Sequence, residues 1–430
     1  MRTLFAFWFL GATTVSTAQL LSAEEAVRIA IEQNHGIRLA KLDARTSELM
    51  NTAGNAGMLP TVDAVGSYAI DNSSTKQTFF SGDVRNADNA DQRVLDGAVQ
   101  LNWTVFDGLA MWAAKDRLEA LEGIGQTRLR QQVEATAYDV LAKYYQLVQL
   151  RKAIGTQQEG ARISGERLRI AEAGQRIGSA SGLQVVQARL DLSTDSAAVL
   201  DLRVQEATVA ARLNALLGRD PATPVEVAPE IPAAGTLDLA QVRQAARNAN
   251  STVQQARQQA IAADLSVKEL RGVLMPKLDL YANYGYTKST SAVGLLQSSQ
   301  SIGPDYGARI SVPLFHGGQA GRALQVAKLA REQAGLTTQQ AELDLEESIL
   351  NAWTAYTTAA QRTALEEQNL AGARTQTDVA LESYRLGAVT AVELRDVQLG
   401  LIAAEQRLLV ARYEAKMAET RLKWLAGTLV

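Results

Sequence analysis

Residues 384–401 read YRLGAVTAVELRDVQLGL, and residues 175–192, 209 positions earlier, read QRIGSASGLQVVQARLDL. Both stretches run through an Arg, an aliphatic residue, a Gly and small residues, and then resume an amphipathic series. At this offset Arg176 falls on Arg385, Gly178 on Gly387 and Ser181 on Thr390. A Gly that stops one helix, followed three residues later by a Ser or Thr able to cap the next, spells a tight turn between two helices. The chain writes this hairpin twice, each time at the end of a very long helical pattern. The fold class follows from what those long helices belong to.

Working outward, the repeat extends over the whole chain. GMLPTVDAVGSYAI (57–70) returns as VLMPKLDLYANYGY (273–286), with Pro60 on Pro276, Asp63 on Asp279 and Tyr68 on Tyr284. Further on, Phe106 and Gly108 match Phe315 and Gly317, and LNALLG (213–218) matches LKWLAG (422–427). The reading is a tandem duplication: residues 19–218, a linker at 219–236, and residues 237–430. The linker stretch RDPATPVEVAPEIPAAG holds four of the eight prolines and reads as extended.

Each half has the same plan: an amphipathic helix broken after Asn34 or Asn250, two strands, a helix of about 70 residues, the Gly tip, and a helix of about 38 residues. Ser22 with Glu25 forms a capping box at the first start. The strands are expected at 60–70, 98–106, 276–287 and 307–315. Leu278, Leu280, Ala282, Tyr284 and Tyr286 share one face of the third, and Lys277, Asp279, Tyr281, Asn283 and Thr287 the other. Segments of about ten residues, apolar on one face and polar on the other, suit barrel strands between lipid and water. Four strands cannot close a barrel, so copies must combine. Asp71–Asp96 and Lys288–Asp305, rich in Ser, Asn, Asp and Gly, read as exposed loops. Leu345, Ile349, Ala352, Tyr356 and Ala359 begin a 3–4 spacing that continues to Tyr384, a coiled-coil seam that ends at the tip.

Composition narrows the function. The net charge of -3 gives no footprint for nucleic acid. There are no cysteines, hence no disulfide, thiol nucleophile or lipidated N-terminal Cys. His35 and His316 stand alone, without the convergent partners of a metal site. No enzyme motif stands out, and no cofactor is implied. Residues 1–18, with one Arg, an apolar run at Leu4–Leu10 and a Ser16-Thr17-Ala18 end, have the layout of a signal peptide. No later segment has the ~20 apolar residues of a spanning helix, so a membrane crossing requires a β-barrel.

The duplication, the paired strands, their FDG and FHGG exits (Phe106–Gly108, Phe315–Gly318) and the two tips together resemble the TolC-like outer-membrane efflux proteins. The resemblance implies a homotrimer in the Gram-negative outer membrane. Each protomer would add four strands to one barrel, which an α-helical barrel continues into the periplasm. It implies the exit duct of a tripartite efflux or type I secretion system, with a periplasmic adaptor and an inner-membrane pump of RND, ABC or MFS type. The alternative is a periplasmic coiled-coil scaffold or adaptor without a pore. The family also implies site residues. Arg176, Gly178, Ser181, Arg385, Gly387 and Thr390 take the positions that meet the adaptor. Glu393 and Asp396, three residues apart on one helical face, take those of acidic residues lining the closed entrance. Three copies of that pair would form a cation-selective ring whose crowding raises some pKa values. Tyr384 stands at the gate tyrosine position, with Gln184 as its expected partner. Gln184 and Val389 replace an acidic and a basic residue of family members, and no lipidated Cys is present.

Overall fold

A computed structural model describes residues 20–293, 296–315 and 317–429. The signal-like segment 1–18 and His316 lie outside the described residues. The first half runs β1 (Leu20–Leu21), α1 (Ala23–Gln33), α2 (His35–Met50), β2 (Thr61–Thr78), β3 (Val84–Phe106), α3 (Ala110–Arg176) and α4 (Gly182–Leu216). The linker contributes β4 (Glu226–Val227). The second half runs α5 (Leu239–Ala249), α6 (Ser251–Gly272), β5 (Lys277–Ser291), β6 (Ser298–Ser311), α7 (Gln319–Arg385) and α8 (Ala391–Leu425). The order helix, helix, strand, strand, long helix, helix therefore occurs twice. Helices α3 and α7 have 67 residues each, roughly 100 Å at 1.5 Å per residue.

The chain divides into two compact units. One, residues 41–128 and 252–341, holds an antiparallel sheet in the order β2-β3-β5-β6. Its register sorts the side chains by face. Ser67–Asp96–Thr287–Ser301 and Asp63–Gln100–Asn283–Asp305 form cross-strand rows on one face. Asp96 accepts hydrogen bonds there from Ser67 (3.3 Å) and Thr287 (2.7 Å). The other face carries Val62, Tyr68, Val99, Tyr284, Ile302, Tyr306 and Ile310, all exposed. Among the described residues neither β2 nor β6 has a second strand neighbour, so both edges are open.

Two strand expectations are corrected. The segment 71–96 is mostly strand, since β2 continues to Thr78 and β3 begins at Val84. Likewise β5 and β6 reach into 288–305. Strands of Ser, Asn, Asp and Thr carry no apolar alternation, so the backbone ladder holds them with no signal in the pattern. Asn72 to Asp91 (2.9 Å) is one of the side-chain bonds that join β2 to β3 there. At the other end β6 stops at Ser311 rather than near 315, because Pro313 brings no N–H to a ladder.

The second unit, which among the described residues holds 20–40, 129–251 and 342–429, contains both tips. Its core gathers Ala26, Ala30, Tyr144, Leu147, Leu213 and Leu217. The Tyr144 hydroxyl donates to Leu21 O (2.8 Å) and accepts from Ala228 N–H (3.1 Å), stitching the parallel pair β1–β4 to α3. The two halves repeat one joint. Asn34 Nδ2 donates to Leu216 O (2.8 Å) at the α1–α2 break, and Asn250 Nδ2 to Leu425 O (3.1 Å) at the α5–α6 break. These side chains satisfy carbonyls that a helix end otherwise leaves open.

Candidate functional site at the helix tips

The first tip turns at Gly178 (φ +80°) and the second at Gly387 (φ +74°), a left-handed backbone that a Cβ resists. Ser179 N–H bonds to Gly174 O and Ala388 N–H to Ser383 O, both at 2.8 Å, closing the two helix ends alike. Ser181 and Thr390 then cap α4 and α8, each within a complete capping box. Ser181 N–H donates to Gln184 Oε1 at 2.7 Å, and Gln184 N–H to Ser181 Oγ at 3.3 Å. Thr390 donates to Glu393 Oε2 from its N–H (2.7 Å) and its hydroxyl (2.8 Å).

These boxes give two of the sequence-expected gate residues a local task. Gln184 spends its carbonyl on the first cap, and among the described residues it makes no hydrogen bond to Tyr384. Glu393 is fully exposed, and the Thr390 N–H and hydroxyl hold its carboxyl below the usual range. Within one chain this direction opposes the rise expected from crowded copies. Asp396 is exposed on the same helix. Arg176 and Arg385 are exposed on the last turns of α3 and α7, and Arg385 bonds back to Glu382 (3.3 Å). Beside them stand Ile177 (81% exposed), Leu183, Leu386 and Val392, so each tip presents a cation next to bare aliphatic side chains.

Above the tips lies a buried polar seam that sequence reading missed. It draws Ser164 and Arg167 from α3, Asp191 and Asp195 from α4, and Arg395 and Gln398 from α8. Arg395 grips Asp195 with two parallel bonds of 2.6 and 2.9 Å. Ser164 donates to the same carboxylate, and Gln398 Nε2 donates to Gly160 O (2.6 Å) and Ser164 Oγ (3.0 Å). Arg167 pairs with Asp191 (3.0 Å) and donates to Ala391 O (3.1 Å). Ser164 and Gln398 are 0% exposed, and Arg167 and Asp195 each 3%. Burial pushes the Asp195 carboxyl up, but the bonds from Arg395 and Ser164 outweigh it and hold the group below the usual range. A signal existed: Gly160, Ser164 and Arg167 recur at helical spacing, as do Ala391, Arg395 and Gln398. Long helices carry such charges on solvated faces too, which hides the seam.

The sequence pattern of the family described as "Outer membrane efflux protein" matches residues 26–219 and 242–428. The chain belongs to this family. Outer membrane efflux protein BepC of Brucella suis is 22% identical over 77% of this chain and 72% of its own length. Pyoverdine export outer membrane protein OpmQ of Pseudomonas putida is 25% identical over 92% of this chain and 84% of its own. The fold matches the CmeC outer membrane channel of Campylobacter jejuni with a TM-score of 0.80 at 14% identity, covering 95% of this chain and 86% of that one. As a family member the chain is an outer-membrane exit duct for efflux or secretion, and the comparisons give no support to a pore-less scaffold.

Proposed function

We propose that three copies of the chain close one twelve-stranded barrel in the Gram-negative outer membrane, continued by helices into the periplasm, and that the tips receive a periplasmic adaptor coupled to an inner-membrane pump of RND, ABC or MFS type. The observation that carries this is the four-stranded sheet. It exposes an apolar face and leaves both edges unpaired. In lipid such edges are not tolerated, and joining β6 of one copy to β2 of the next removes them. Attachment rests on that barrel, since there is no Cys to acylate. Chemical cross-linking of outer-membrane fractions tests it: the expected product is a trimer, and a soluble monomer that needs no detergent refutes it.

The adaptor would meet Arg176, Gly178, Ser181, Arg385, Gly387 and Thr390, with the neighbouring aliphatic residues as its apolar contact. Replacing Arg176 and Arg385 together by Glu should abolish export while leaving trimers intact. Glu393 and Asp396 would line the constriction, near Tyr384 and Gln184. In planar bilayers Glu393→Gln with Asp396→Asn should lower cation selectivity and block by multivalent cations. Unaltered selectivity removes these carboxylates from the pore wall.

A further inference from the structure

Aromatic residues make up only 5% of the chain, so a place where they gather calls for a reason. One such place lies where α8 passes α3. The Arg421 guanidinium stands 4.0 Å from the centre of the Trp424 ring and 5.8 Å from that of Tyr138. The two rings are 5.5 Å apart and tilted by 30°. A guanidinium held by ring faces keeps its five N–H donors for other work. Among the described residues Arg421 makes no hydrogen bond and no ion pair. Burial lowers its pKa, and no carboxylate opposes that shift.

Beside Arg421 opens a groove of about 570 Å³ between α3, α7 and α8, a size that suits a small molecule. Its lining is largely small and apolar, with Ala142, Ala352, Ala355, Ala359 and Ala418. The Tyr138 and Tyr413 side chains border it too, and neither hydroxyl has a hydrogen-bond partner among the described residues. Burial raises the Tyr413 pKa, so this phenol stays protonated and able to donate. Arg362 and Glu414, the other charges of the lining, answer each other at 2.8 Å. The groove is left with one uncompensated positive charge and with donors from three side chains that meet no acceptor. The linker does not cover it. It nears α8 at Glu419, where a Cβ on Gly235 would lie 3.4 Å from Oε1. Two residues along a helix turn the direction by about 200°, so Arg421 lies on the far side from Glu419.

The first half lacks these parts. At the offset of 209, Arg421 falls on Arg212, but Tyr413 falls on Val204, Trp424 on Ala215 and Tyr138 on Glu347. The arginine belongs to the repeat, and the aromatic setting to the α8 side alone. We propose that the groove binds a small organic carboxylate. The carboxylate accepts from the fork of Arg421 and from the Tyr138 and Tyr413 hydroxyls, and the apolar body lies along the alanines. A neutral molecule of the same shape leaves the cation unanswered, and a phosphate dianion exceeds the single charge on offer. That such a ligand is cargo held in transit rests on the exit-duct reading; the binding itself does not.

Isothermal titration calorimetry on the purified protein in detergent tests this, with benzoate as the probe and benzamide as its uncharged match. Benzoate should bind at one site per chain, about tenfold or more tighter than benzamide. Arg421→Met should weaken benzoate by about the same factor, and Tyr413→Phe by about two- to fivefold. Arg421→Lys, which keeps the charge but not the planar fork, should fall between the parent and Arg421→Met. Arg212→Met, at the matching place in the repeat, should change nothing. Circular dichroism identifies the folded variants. Equal affinity for benzoate and benzamide overturns the proposal, and so does benzoate binding that survives in folded Arg421→Met. Absence of benzoate binding overturns it as well, the result expected if a carboxylate of a second copy filled the groove. Should Arg421→Met not fold, the benzoate and benzamide comparison and Tyr413→Phe still decide. Loss of trimers or of export refutes the duct reading and leaves these affinities as they are.

Discussion

The two helix hairpins share a turn and differ in what lies behind it. Both tips use a left-handed Gly, a Ser or Thr cap and a complete capping box. A few turns higher the likeness ends. Ser164 and Asp195 of the first hairpin have Ala373 and Ala404 at the matching positions of the second, and Asp191 has Gly400. Arg395 and Gln398 of the second correspond to Val186 and Arg189 of the first. The first hairpin therefore supplies carboxylates that the second does not have, and the second supplies the guanidinium that answers them. Backbone geometry constrains a turn the same way wherever it is used. Charge partners are free to diverge, provided that the two copies diverge in complementary directions.

The largest way to break this comparison is to remove one side of the seam. Arg395→Met leaves Asp195 buried without its partner and should destabilise the helical region by about 3–5 kcal/mol. Arg395→Met with Asp195→Leu should recover most of that loss. Urea unfolding followed by circular dichroism measures both, and a double variant as unstable as the single one would show that the seam is not a paired-charge device. Val186→Met, at the matching place in the first hairpin, should change little because the site is exposed.

A smaller effect sharpens the likeness. Gly178→Ala and Gly387→Ala each place a Cβ at positive φ and should each cost about 1–2 kcal/mol. The two losses should be equal, since neither site has a neighbour within 4 Å of the added atom. Smaller again are the caps. Ser181→Ala and Thr390→Ala should each cost about 1 kcal/mol, read as faster amide exchange in the first turns of α4 and α8.

The smallest expected effect separates the tips by pH. Hydrogen bonds from Thr390 depress the Glu393 pKa, so its share of the cap is complete above the ordinary glutamate pKa and is lost as pH falls through the depressed value. Gln184 does not titrate. The protection of Thr390 N–H against exchange should fall on acidification in that window, while that of Ser181 N–H stays constant. Equal acid responses at the two tips would show that Glu393 contributes nothing to its cap.

Much of this was legible in the residues. The duplication, the helix breaks at Asn34 and Asn250, the two Gly turns with their caps, and the alternating faces of β5 are local in origin. Each follows from what one residue does to its own backbone, or from a periodicity within a single element. The polar ends of β2 and β3 were not legible, because the ladder that forms them needs a partner strand and no apolar face. Gln184 and Glu393 were read as facing across the entrance, and their nearest task proved to be the cap three residues behind them. Sequence by itself determined the elements, their repeat and the positions where the chain turns. Only the tertiary structure decided which charges meet. Asp195 and Arg395 lie 200 residues apart, and no helical period links them. They find each other because three helices bury the same few turns, where an ionised group without a partner would be too costly to keep.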